Sequence, residues 1–291
     1  MRFTSLITSV AFSLLATFVA GEARSDFDPY RYIVRRSEDP KVVSQPEYVR
    51  ISTPNYDVTS SDFKPRIGLY QYDLSWTGIP AATALVEVKR SKSTYQVGVK
   101  VKTARAIDLF YRLRADFEGA FARKDFSPIN GQFYARENSK VKFTRAAFRP
   151  NGYIFAEHGK TGKETNSISF NPGNNTLDPF SAAFLARGMA WAKGEERVFD
   201  TYNGKSRFLV GLKCIGSEIM EFQGQPRKVW VIEPKAKKVL SDSESKLRDA
   251  RIFVSADANR EIVRIESEVF IGSVVAELAT FEANGVMPSE F

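Results

Sequence analysis

One cysteine and one histidine stand among 291 residues, and these two scarcities exclude several kinds of chemistry. A lone thiol closes no internal disulfide, so the chain must hold itself together through its core. Cys214 and His158 supply too few soft ligands for a zinc site and no redox dithiol. A histidine-based hydrolase needs a nucleophile and an orienting carboxylate beside the imidazole, and no Gly-x-Ser-x-Gly motif offers the first. After residue 25 no apolar run approaches the roughly 20 residues of a membrane-spanning helix. With 13 prolines and 18 glycines, the chain is neither collagen-like nor wholly disordered. The formal charge is +8, but the bases are spread along the chain. That argues against a nucleic-acid partner and for compatibility with anionic envelope surfaces.

The N-terminus carries an address. Arg2 precedes an apolar run over 6–20, and Gly21-Glu22-Ala23-Arg24-Ser25 places small residues for cleavage after Ala23 or Ser25. The expectation is a cleaved signal peptide over 1–25 and a soluble product in the periplasm. A lipoprotein would need a cysteine at the cleavage point, and the only one is Cys214. Residues 26–66 hold Pro29, Pro40, Pro46, Pro54 and Pro65 among polar residues, which reads as an extended N-terminal arm.

From Ile67 onward the texture is that of strands. Tyr95, Val97, Val99 and Val101 alternate with Gln96, Gly98, Lys100 and Lys102, the mark of a half-buried antiparallel strand. Similar segments recur to residue 281, about a dozen in all, with turn chemistry at Pro128-Ile129-Asn130-Gly131 and Pro150-Asn151-Gly152. Ile107, Phe110 and Tyr111 stand at helical spacing and predict a short helix over 104–112. Asp178 as N-cap and Pro179 in the first turn open a second helix, along which Phe180, Ala183, Phe184 and Trp191 recur, ending at Lys193-Gly194. Cys214 shares a face with Phe208, Val210 and Leu212, which predicts a buried thiol. The fold expected is mainly β: a large antiparallel sheet, curled or barrel-like, with two helices packed on or across it. It forms a single domain over 67–283, followed by a tail at 284–291.

The chemical motifs are weak. His158-Gly159-Lys160-Thr161-Gly162-Lys163 has the end of a phosphate-binding loop but the wrong spacing from Gly152, and a hairpin explains it better. Ser243-Glu244-Ser245-Lys246 matches Ser-x-x-Lys within a highly charged stretch that offers no shielded pocket. Asn174-Asn175-Thr176 reads as loop composition. No catalytic residue, metal ligand or cofactor is assigned. The candidate ligand-binding residues are aromatic: Phe180, Phe184 and Trp191 on the longer helix, with Trp76, Phe110 and Tyr111.

The segments Tyr72-Asp73-Leu74-Ser75-Trp76-Thr77-Gly78-Ile79-Pro80 and Asp178-Pro179-Phe180-Ser181-Ala182-Ala183-Phe184-Leu185-Ala186-Arg187 resemble a bacterial envelope family, domain of unknown function 3108. The helix opening at Asp178 is similar to that family's Asp-Pro-x-Ser-Ala motif. The stretches 107–114 and 270–278 are also similar, and the likeness runs from about Ile67 to Phe281. It implies an exported, mostly β protein without an established activity or catalytic residues to transfer. Its broad shape would be similar to curved-sheet envelope proteins that carry or scaffold lipoproteins. The arm departs from the pattern. The function expected is non-enzymatic: a concave sheet accommodating an apolar or lipid-like molecule, or a segment of an envelope protein. A structural or assembly factor that binds through its surface is the alternative, and an enzyme using carboxylates alone stands third.

Overall fold

Side chains that alternate between water and core force this chain into sheet. Along β5 (Thr94–Thr103), Tyr95, Val97, Val99 and Val101 are buried while Gln96 is exposed, the separation of faces the sequence implies. The structure, a computed structural model, describes residues 33–35, 49–51, 63–239, 248–269 and 272–291. The expected signal peptide lies outside the described residues, as do most of the arm and most of the charged loop that contains Ser243. From the arm, β1 (Ile33–Arg35) and β2 (Val49–Ile51) pair antiparallel.

Fourteen strands form one antiparallel sheet. They are β3 (Gly68–Trp76), β4 (Ile79–Arg90), β5, β6 (Leu113–Ala122), β7 (Pro128–Glu137), β8 (Lys140–Phe148), β9 (Ile154–Lys160), β10 (Asn166–Phe170), β11 (Glu196–Tyr202), β12 (Arg207–Phe222), β13 (Gln225–Lys238), β14 (Arg248–Ser255), β15 (Ile262–Glu268) and β16 (Ser273–Ala283). Sequence neighbours pair throughout, except that β10 and β11 do not pair with each other, and β3 also pairs with β16, from Val274 opposite Trp76 to Ala283 opposite Gly68. That leaves β10 and β11 as the two edges. A twisted sheet this wide curls rather than lying flat, and here the edges approach each other. The rings of Phe170 on β10 and Tyr202 on β11 meet edge-on at 5.1 Å. Thr144 Oγ1 on β8 donates to the carbonyl of Asn203 at 3.3 Å. Leu177 forms a parallel bridge to Thr201. The result is barrel-like, closed partly by side chains.

Between those edges runs α2 (Pro179–Gly188), which packs against β6 and β11 and is buried over most of its length. The main core fills the concave face beneath it and includes Phe208, Val210, Leu212 and Cys214 on one face of β12, as expected. The Cys214 thiol donates to the carbonyl of Gly216 at 3.5 Å, across a register shift, and burial raises its pKa.

Three local expectations are corrected, and one strand was not foreseen. The helix expected over 104–112 is the single turn α1 (Arg105–Asp108), because Arg114 and Thr103 both hold the Asp108 carboxylate and draw the chain back into β6. Pro128-Ile129-Asn130-Gly131 begins β7 instead of forming a turn; the reversal lies at 123–127, where Phe126 adopts φ +56° and is buried. β10 is short and polar, with no alternation strong enough to announce it. The longer helix ends at Gly188, so Trp191 lies beyond it. The His158–Lys163 stretch forms the end of β9 and the turn into antiparallel β10, as the hairpin reading expects.

Candidate functional site

The site is built around α2, and each end of that helix has its own anchor. At the N-terminus Asp178 Oδ1 accepts the backbone N–H of Phe180 at 2.8 Å and of Ser181 at 3.3 Å, while the Ser181 hydroxyl donates to Oδ2. These bonds satisfy donors that the first helical turn leaves without partners. Burial pushes the Asp178 carboxyl up to about 6, overriding the hydrogen bonds that favour its charge. Just before the cap, Thr176 and Asn174 donate to Asp200 Oδ2 at 2.6 and 3.3 Å. Asp200 in turn holds Arg207 through Nε at 2.8 Å and Nη2 at 2.5 Å, both side chains wholly buried.

The C-terminus is held by a reciprocal arginine clasp. Arg260, in the β14–β15 turn, donates from Nη1 to the carbonyls of Arg187 (3.2 Å), Gly188 (2.5 Å) and Met189 (2.8 Å). Arg187 answers with Nε to the Arg260 carbonyl at 2.7 Å and Nη2 to that of Asn259 at 3.3 Å. A cation is thus placed where the helix dipole is negative, donating to carbonyls of the last turn. The clasp explains why the helix stops there. Both guanidiniums lie over the ring of Phe63, at 5.3 and 5.9 Å, so the described end of the arm seals this side. Trp191 then folds back, its Nε1–H donating to the Ala186 carbonyl at 3.0 Å.

Beneath α2 lies a cavity of about 120 Å³. Its walls come from the inward faces of β3, β4, β5 and β12 to β15, including Val97, Val99, Val101, Ile232, Ile252 and Ile265. Phe180, Ala183, Phe184 and Trp191 form the roof. On its other side Phe184 packs against Phe121 at 5.0 Å, within a buried aromatic layer with Tyr95 and Phe126. The polar corner of the cavity is formed by Arg187, Tyr70 and Tyr72. The tyrosine hydroxyls donate to the carbonyls of Arg66 at 3.2 Å and Ile262 at 2.9 Å, and burial raises both tyrosine pKa values. Nearby, the buried Glu261 accepts from Arg66 at 2.9 Å and Arg227 at 3.3 Å.

Across the N-terminal end of α2 opens a second space, a cleft of about 1450 Å³. Phe117, Phe133, Phe143 and Phe208 contribute to its walls together with lysines from both sides. His158 also lines it, with Nδ1 buried and without a hydrogen-bond partner among the described residues, and its pKa is lowered by desolvation and then by Lys205. Phe180 borders both spaces. Its ring occupies the room that a side chain on β6 would take: a Cβ added to Gly119 would lie 2.5 Å from it.

Of the aromatic residues named from the sequence, Phe180, Phe184 and Trp191 are therefore brought together on the cavity roof. Tyr111 is buried and lines the cleft instead. Trp76, half-buried at the end of β3, does not line the cavity, and Phe110 is 62% exposed, because α1 is too short to turn it inward. Sequence reasoning missed Tyr70, Tyr72, Arg187 and Arg260. The alternation of Tyr70, Tyr72 and Leu74 held the signal for the first two; nothing local marked the arginines. Among the described residues no group of three or more His, Cys, Asp or Glu side chains is arranged to hold a metal ion. Among the same residues no helix is long and apolar enough to cross a membrane.

A curled antiparallel sheet with an internal helix roofing an apolar cavity defines a class of barrel-like β proteins. The chain belongs to the family described as "Protein of unknown function (DUF3108)", which matches residues 71–279. A β-barrel-like protein of domain of unknown function DUF1849 from Brucella abortus shares the fold, with a TM-score of 0.52 at 12% identity over 76% of this chain and 99% of that one. Weaker likenesses extend to a DUF1089 family protein from Pseudomonas aeruginosa (TM-score 0.33, 8% identity, 65% of this chain and 90% of that one). The hypothetical protein CT021 from Chlamydia trachomatis stands similarly (TM-score 0.29, 11% identity, 79% and 96%). No curated protein matches the chain. None of these four descriptions names an activity.

Proposed function

We propose that this is an exported periplasmic protein that binds an apolar or lipid-like envelope molecule beneath α2 and catalyses no reaction. The observation that carries the reading is the cavity: about 120 Å³ of space walled almost wholly by hydrocarbon in an otherwise packed core. Protein interiors are normally filled to crystal-like density. A dry apolar void forfeits contacts that a small residue change would restore. Cavities of roughly 150 Å³ lined by aliphatic and aromatic side chains stay dry and take up a single aromatic ring. The space beneath α2 is therefore suited to one ring or the last few carbons of a chain.

Single-chain amphiphiles titrated below their micellar concentration should raise the melting temperature progressively, by mass action on the folded state. Ala183→Leu adds about three methylene-sized groups at the cavity roof and should abolish that shift while leaving the protein folded. Absence of any concentration-dependent shift in the wild type would end the ligand reading and promote the alternative of an assembly factor with a filled interior.

A further inference from the structure

The cavity is too small for a whole lipid, and the space next to it is not. The cleft is about twelve times larger, and its chemistry differs from the cavity's. Lysines line it from opposite sides: Lys140 and Lys142 on β8 and Lys160 at the end of β9, facing Lys205 in the β11–β12 turn and Lys238 at the end of β13. Lys142 is engaged by Glu137, both carboxylate oxygens at 2.8 Å. Lys140, Lys160, Lys205 and Lys238 have no ion-pair partner among the described residues. Glu118, which also borders the cleft, is occupied by Gln132 at 2.6 Å. Aromatic rings and unpaired cations on one concave surface complement a ligand that is both apolar and negatively charged. Among the described residues only Phe180 is both cleft wall and cavity roof, and its ring rests in the gap left by Gly119.

We propose that cleft and cavity form one bipartite site for an anionic amphiphile, with the head group held between the cleft lysines and the apolar end passing Phe180 into the cavity. This rests on the reading of the cavity as an apolar binding site and adds the charge class of the ligand. Rotation of the Phe180 ring joins the two spaces, so the binding event needs no separation of the sheet edges. The head group is a carboxylate or phosphate, since lysine ammoniums act as point charges towards either.

The test compares dodecanoate, dodecyl phosphate, dodecanol and inorganic phosphate by calorimetric titration of the full mature chain below micellar concentrations. Both anionic amphiphiles should bind at least about ten-fold more tightly than dodecanol, with an advantage that shrinks as salt is added. In Lys160→Glu/Lys205→Glu, two exposed changes on opposite sides of the cleft, that preference should vanish while dodecanol binding persists. Ala183→Leu should weaken all three amphiphiles together. Dodecanol binding as tightly as dodecanoate would overturn the bipartite site and leave the cavity reading standing. Binding of inorganic phosphate as tight as that of dodecyl phosphate would make the cleft a free-anion site and overturn the shared one. If no amphiphile binds, the cavity reading falls as well.

Discussion

Asp178 shows how one side chain can be both a structural necessity and a burden. It caps α2, yet burial lifts its carboxyl to about 6, against about 4 for an unfolded aspartate. Between those values the folded chain binds the extra proton. The group therefore favours folding below pH 4, and that contribution is lost as the pH rises through 6, with a full span of about 3 kcal/mol. Asparagine caps as well as aspartate and cannot titrate. Urea denaturation of wild type and Asp178→Asn should show the wild type losing stability relative to the variant between pH 4.5 and 7.5. A constant difference across that range would reject the raised carboxyl. Cys214 follows the same physics with a different result: buried among Phe208, Val210 and Leu212, its raised pKa leaves it a small apolar filler.

At the scale of elements, the arginine clasp sets the length of α2. Helical periodicity alone carries the helix to Trp191, because Ala183, Phe184 and Trp191 keep its spacing. Arg260 takes the carbonyls of residues 187–189 and makes an earlier end favourable. Arg260→Met keeps side-chain bulk but removes the charged donor from three carbonyls at the negative end of the helix, and should cost about 2 kcal/mol. Arg264→Met is the control. Arg264 pairs with Glu266 and Glu277 at 2.6 and 3.0 Å in half-exposed positions, where such pairs contribute no more than about 1 kcal/mol. Equal losses in thermal melts of the two variants would refute the clasp as the element's anchor.

For the whole molecule, the organising contact is the pairing of β3 with β16, which joins two meanders into one sheet and leaves β10 and β11 to be drawn together by Phe170, Tyr202 and Leu177. The prediction at this scale concerns export. Residues 1–30 fused to a reporter active only in the periplasm should confer activity, and the mature protein should begin at Arg24 or Asp26. Recovery of the full-length chain from the cytosol would refute it.

Alternation of side chains in β5 and β6, turn chemistry at Pro150-Asn151-Gly152 and the Asp178-Pro179 cap are local signals, and they sufficed to indicate a curled antiparallel sheet with a helix across it. That Phe180, Phe184 and Trp191 would gather on one side of the sheet was legible for the same reason, since they share a spacing within one short segment. Local signals could not reveal contacts between distant parts of the chain. The ion pair of Arg66 with Glu261 spans 195 positions, and the bond of Arg187 to Arg260 spans 73. Only the tertiary structure placed Tyr70 and Tyr72 at the polar corner of the cavity and set lysines from β8, β9 and β13 around one cleft. It also left Phe110 in water, because whether a ring at helical spacing turns inward depends on how long the helix lasts, and that was decided by Arg114 and Thr103 reaching Asp108 from neighbouring strands.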